Sequence, residues 1–189
     1  GRVPELNGRP AAVVEVRPRD KFRFGHRLWI DEATGMPVRT ELLDTSGGVV
    51  ERLRFTRLEI RNDIPDSSLK PGVDPAHFRW VRQAEHPPAG AVAWTVRAPP
   101  PGFRLSASTV KDIVGVPSPV SQLVLSDGLA SVSVFIHPTV ASQKPAEGAG
   151  RAGSASTFSA VVEGQQVTAV GEVPPNTLKV IVDSIVRQP

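Results

Sequence analysis

Apolar positions along this chain come in short runs, and most of them alternate with polar ones. Ala11-Ala12-Val13-Val14-Glu15-Val16 predicts a first strand, stopped by Pro18. From Phe22 to Ile30, residues Phe22, Phe24, Leu28 and Ile30 share one parity while Arg23 and Arg27 share the other. That is the period of a strand with one buried face. Asp31-Glu32-Ala33-Thr34-Gly35 reads as a turn, Met36 to Leu43 as a third strand, Asp44-Thr45-Ser46-Gly47-Gly48 as a second turn, and Val49 to Ile60 as a fourth strand. Leu53 and Phe55 are odd but Leu58 and Ile60 even, which places a bulge near Thr56. The first sixty residues thus predict an antiparallel meander.

Between Asn62 and Gly90 the period is lost. Prolines recur, Phe78 and Trp80 are the large apolar anchors, and Ala84 to Gly90 reads as a stiff interdomain linker. A second unit begins with a strand from Val92 to Arg97 and a turn at Pro99-Pro100-Pro101-Gly102, leading into Phe103-Arg104-Leu105. Strands Val120 to Leu125 and Leu129 to Ile136 flank Ser126-Asp127-Gly128, a strong hairpin signal. Residues Pro138 to Thr157, rich in Ala, Gly and Ser, read as a mobile loop. Phe158 to Glu163 and Gln166 to Glu172 predict another hairpin around Gly164-Gln165. A terminal helix follows, with Asn176 as its cap and Leu178, Ile181, Val182 and Ile185 on one face. The fold class expected is α+β, mostly antiparallel β, in two units: 1–83 and 91–189, joined by 84–90.

Composition narrows the function. At 189 residues and 40% hydrophobic content the chain can fill one large core or two small ones. The net charge of +3 does not point to nucleic acid as a partner. No run of about 20 apolar residues is present, and the start Gly1-Arg2-Val3-Pro4 lacks the apolar core of a signal peptide, so any export signal is expected to have been removed. The absence of cysteine excludes disulfides, cysteine zinc sites and thiol nucleophiles.

Candidate chemistry is sparse. Gly148-Ala149-Gly150-Arg151-Ala152-Gly153 matches G-x-G-x-x-G, but without the preceding strand and following helix that would aim amides at a pyrophosphate. His26, His77, His86 and His137 stand far apart, so neither a metal nor any other cofactor is expected. Asp31-Glu32 sits in a predicted turn as solvated charge, and Glu41 and Glu51 read as cross-strand partners of Arg39 and Arg52 rather than as a catalytic pair. More informative is the segment from Arg17 to Arg27, where Arg17, Arg19, Lys21, Arg23 and Arg27 face a lone Asp20. With Phe22 and Phe24 it suits an anionic amphiphile or an acidic peptide; the plainer reading is a sheet edge defended by charge. Trp29 is a candidate cation-π partner, and Phe78 and Trp80 are candidates for interdomain or partner contact.

The run Arg17-Pro18-Arg19-Asp20-Lys21-Phe22-Arg23-Phe24-Gly25-His26-Arg27-Leu28-Trp29-Ile30-Asp31, followed by Thr34-Gly35-Met36-Pro37, closely resembles the RseB/MucB family of sigma-E regulators. Independent blocks do so too: Pro100-Pro101-Gly102-Phe103, Ser126 to Ile136, and Val167-Thr168-Ala169-Val170-Gly171-Glu172-Val173-Pro174. The resemblance covers most of the chain in order. It implies an N-terminal domain similar to lipoprotein carriers of the LolA type, an unclosed β-barrel of which 1–83 would be the C-terminal part, and a small α+β domain at 91–189. Neither implied domain is an enzyme. It also implies a periplasmic protein that binds the periplasmic region of an RseA/MucA-type transmembrane anti-sigma factor and shields it from the site-1 protease. Lipopolysaccharide or another lipid is the implied releasing ligand, for which Arg17, Arg19, Lys21, Phe22, Arg23, Phe24 and Arg27 are the candidate residues. A periplasmic lipid carrier without a signalling role is the alternative from another class, an enzyme with an unfamiliar site a third. Open sheet edges would also permit a homodimer.

Overall fold

The computed structural model describes residues 9–74, 76, 78, 92–113, 116, 118–140 and 144–188, and the backbone of 2–4. The linker read at 84–90 and Trp80 lie outside these residues.

The first sheet is an antiparallel meander in the order β1 (Arg2–Pro4), β2 (Pro10–Val16), β3 (Gly25–Asp31), β4 (Pro37–Leu43) and β5 (Val49–Arg54). β1 and β5 end it on either side, so the sheet is unclosed. Three details depart from the sequence expectation. β3 starts at Gly25 rather than Phe22, because the Asp20 carboxylate accepts from the Phe22 amide at 2.9 Å and bends the chain there. Its buried parity is the reverse of the expected one: Gly25, Trp29 and Asp31 are buried, whereas Leu28 and Ile30 are half-buried. β5 stops at Arg54, and the register shifts lie at Trp29/Ile30 and Leu42/Leu43 instead of Thr56. Asp31 is not a solvated turn residue either. It is 1% exposed, and Arg9 donates to both its oxygens, at 2.9 and 2.8 Å.

The second, six-stranded antiparallel sheet runs β10-β11-β12-β9-β8-β7: β7 (Arg104–Lys111), β8 (Val120–Ser126), β9 (Ser131–Pro138), β10 (Gly148–Ala152), β11 (Ala155–Val162) and β12 (Gln165–Gly171). A two-stranded sheet pairs β6 (Trp94–Val96) with β13 (Ile185–Arg187). The region read as a mobile loop contains edge strand β10, so the G-x-G-x-x-G match is one arm of a hairpin. The β11–β12 turn is Glu163-Gly164, one residue earlier than expected, and both residues have positive φ (48° and 74°), as a two-residue turn with this twist requires.

The helix α1 spans Pro175–Asp183. Its cap position is Pro174, not Asn176, and no side chain caps it; Pro175 stands at the first helical position, where the missing N–H costs nothing. Leu178, Ile181 and Val182 are buried against a core that includes Trp94, Phe103, Leu123, Val134, Val167 and Ala169. Register explains this packing: Leu123, Val134 and Ala169 lie side by side across β8, β9 and β12, so alternate residues of three strands build one apolar face for the helix to cover. Ile185, expected on the helix, is buried from β13 instead.

Candidate functional site

Charge on one face of the first sheet is consumed internally. Glu41 of β4 is 2% exposed and accepts from Arg39 at 2.6 Å, from Arg52 across the β4–β5 pair at 2.7 Å, and from Arg27 across the β3–β4 pair at 3.3 Å. Burial pushes this carboxyl up, but the hydrogen bonds from Arg39 and Arg52 outweigh it and leave the group below the usual glutamate range. The Arg39 guanidinium lies 3.9 Å above the Trp29 ring, so Trp29 is a cation-π partner of the neighbouring strand. Arg27 also reaches Glu15, at 3.8 Å. Far from being an edge, β3 is the middle strand of five.

Arg23 lies where the first sheet's leading segment meets the second unit. Its Nε donates to Asp127 Oδ2 at 2.5 Å, one terminal nitrogen donates to Asp20, and the other donates to the Pro101 carbonyl at 2.5 Å. Its guanidinium also lies 5.0 Å from the ring centre of buried Phe103. One residue earlier in the chain, the Phe22 carbonyl accepts from the Thr177 hydroxyl at 2.9 Å, and Thr177 is fully buried at the start of α1. Asp127 is held by its own loop as well, its Oδ1 accepting from the Leu129 and Ala130 amides at 2.9 and 2.8 Å. Burial again opposes the charge, while the two amides and Arg23 together hold the carboxyl below the ordinary aspartate range. Gly102 has φ +85°, a conformation that favours glycine, and its bare backbone leaves an Arg23 nitrogen 2.5 Å from where a Cβ would stand.

Beside this junction an open cavity of about 580 Å³ runs between the 15–21 segment and the β4–β5 turn. Arg17 and Lys21 line it with Val16, Pro18 and Leu43, and the acids Glu15, Asp20 and Asp44 stand among them. Asp44 also closes the turn, accepting from the amides of Ser46 and Gly48. Of the residues picked out from sequence, Arg17 and Lys21 meet at this cavity. Arg17 also pairs with Glu15 and Lys21 lies over the Phe22 ring. Arg19 is exposed, Phe22 and Phe24 are half-buried, and Phe78 is exposed. Arg23 and Arg27 are committed to internal carboxylates. Among the described residues, no three His, Asp or Glu side chains gather as a metal site would need. Sequence reasoning missed Asp127 as the partner of Arg23. Asp-Gly in a hairpin signals a turn, and nothing local marks an ion pair with a residue 104 positions away.

Asp31, Glu41 and Asp127 all titrate below their ordinary values, Asp31 chiefly through Arg9 and then Thr34. A depressed folded-state value means that stabilisation is fully present above the unfolded values, 3.8 for Asp and 4.5 for Glu, and is lost as pH falls through the folded ones. The urea midpoint is therefore expected to hold from pH 7 to about 5 and then to drop steadily toward pH 3. An unchanged midpoint at pH 3 would show that these pairs contribute nothing.

Two family models match the chain: the MucB/RseB N-terminal domain over residues 1–73 and the MucB/RseB C-terminal domain over residues 88–186. The sigma factor AlgU regulatory protein MucB of Pseudomonas aeruginosa is 36% identical over 182 residues, covering 94% of this chain and 56% of that protein. The sigma-E factor regulatory protein RseB of Escherichia coli is 28% identical over 182 residues, covering 92% and 54%. This chain spans about half the length of the curated relatives it matches. The P. aeruginosa MucA/MucB complex superposes on the whole chain with a TM-score of 0.83 at 33% identity, over 63% of its own matched chain. Another crystal structure of MucB, at the same identity and with 61% of its chain covered, gives 0.67.

Proposed function

This chain belongs to the MucB/RseB family, and we propose that it acts in the periplasm by binding the periplasmic region of a transmembrane anti-sigma factor of the RseA/MucA type. Binding shields that region from the site-1 protease and so restrains the sigma-E envelope stress response. The observation that carries this reading is the likeness, across the whole chain, to MucB as it stands in its complex with MucA. The architecture agrees with a binding protein: an unclosed first sheet of the LolA carrier type and a compact α+β unit.

The releasing signal in this proposal is lipopolysaccharide or a related lipid. Its phosphates would fall to Arg17 and Lys21, which line the cavity, and to the exposed Arg19 between them in sequence, with Val16, Pro18 and Leu43 taking apolar parts. Arg23, Arg27, Phe22 and Phe24 contribute less, because their positions serve the fold first. The same cavity favours a second reading, a periplasmic lipid carrier without a signalling role, since it offers apolar wall and cations together.

Calorimetric titration of the protein with the periplasmic segment of its anti-sigma factor, with and without lipopolysaccharide, tests the proposal. The expected result is micromolar or tighter binding that the lipid abolishes. No binding to the segment in either condition, with lipid still taken up, would replace the regulator by the carrier.

A further inference from the structure

Residues 20–23 of the first unit touch the second at three places distant from one another in sequence: the turn before Phe103, the loop after Asp127, and the first turn of α1 at Thr177. Three separate contacts restrain the orientation of the second unit more than a single one would. Arg23 makes two of them with one side chain. Its planar group addresses Asp127 through Nε and the Pro101 carbonyl through a terminal nitrogen, while the remaining nitrogen is braced by Asp20 of its own segment. A lysine has a single nitrogen and could not reach these divergent acceptors together. Only 21% of the Arg23 side chain is exposed, and 8% of that of Asp127, so water screens the pair less than it would a surface pair.

We propose that Arg23 is a positioning residue, a latch between the two units, and that the arrangement it locks is the one competent for the protein partner. The likeness of the whole chain to MucB as it stands in its complex with MucA is what ties this arrangement to the partner. The second half of the proposal rests on the anti-sigma reading above; the first half does not. Asp127 is the latch's receiver, and its second oxygen stays occupied by the loop amides whether the latch is open or closed.

The chain has no cysteine, so Ser46→Cys in the first unit and Arg151→Cys in the second, both exposed, accept spin labels. Pulsed electron-resonance distances between them should show one narrow distribution for the parent. Arg23→Glu should broaden or shift it and weaken anti-sigma binding about tenfold, in the range of ordinary coupling between sites. Arg23→Lys should give an intermediate result. Asp127→Asn, which keeps an acceptor for the loop amides, should reproduce part of the loosening without unfolding the hairpin. Unchanged distances in both Arg23→Glu and Asp127→Asn overturn the latch. Altered distances with unchanged affinity overturn its link to the partner. Failure of the parent to bind the segment counts against the anti-sigma reading alone, and the distance measurement still decides the latch.

Discussion

Glu41→Ala is expected to cost about 3 kcal/mol of folding stability, near the lower end of what breaking a buried ion pair from one side usually costs. The reason is asymmetry. Glu41 is nearly inaccessible and gathers Arg39, Arg52 and Arg27, so its removal leaves three guanidinium groups converging on a space with no anion. The arginines are 22–53% exposed and can turn partly toward water, which keeps the cost from the upper end. Glu41→Gln retains the shape and one acceptor oxygen but not the charge, and should lose roughly half as much. Urea unfolding followed by intrinsic fluorescence, to which Trp29 beneath Arg39 contributes together with Trp80 and Trp94, reads the effect. A loss under about 1 kcal/mol for Glu41→Ala would mean that the seam is an incidental surface network.

Leu123→Ala is expected to cost about 3 to 4 kcal/mol, the usual range for a fully enclosed leucine whose neighbours cannot collapse into the gap. Leu123 is 0% exposed between β7 and β9, beside Val134, with α1 closing the core over the sheet. Leu129→Ala, six residues along, is expected to change stability by less than about 0.5 kcal/mol, because Leu129 is 60% exposed in the β8–β9 loop. Hydropathy alone ranks the two leucines equally. Measuring both variants by urea denaturation separates them, and similar costs would contradict the placement of the hairpin loop at 127–130.

That contrast shows where sequence reading held and where it gave way. The β8–β9 and β11–β12 hairpins and the amphipathic helix were legible because alternating valines and leucines, turn glycines and a proline pair all pointed the same way. β7 and β10 were not. Arg104–Lys111 is mostly Ser, Ala and Thr at its centre, and Gly148–Ala152 contains nothing larger than alanine except one arginine. Both are edge strands, held by backbone pairing along one side and burying little, so they carry almost no hydrophobic signal. In β3 the alternation was visible but its direction was misread. Trp29, Arg27 and Asp31 share a face on which cations and carboxylates neutralise one another, and that pairing buries residues that look solvent-facing one at a time.

The basic segment makes the same point for the site. Its five cations were plain in the sequence, as were the aromatic residues between them. Where each cation ends up was not. Arg23 meets an aspartate 104 residues away and Arg27 a glutamate 14 residues away, while Arg17 and Lys21 reach the cavity because the 43–47 turn folds back beside them. The sequence by itself determined the α+β class, most strands and turns, and the family, since those depend on local periodicity, turn chemistry and long ordered blocks of residues. The tertiary structure alone decided which face of the first sheet is buried, which residues of the 20–23 segment meet Pro101, Asp127 and Thr177, and which cations pair with internal carboxylates. Each of these is a pairing between distant residues, and the free energy of a charge depends on the partner that folding brings to it.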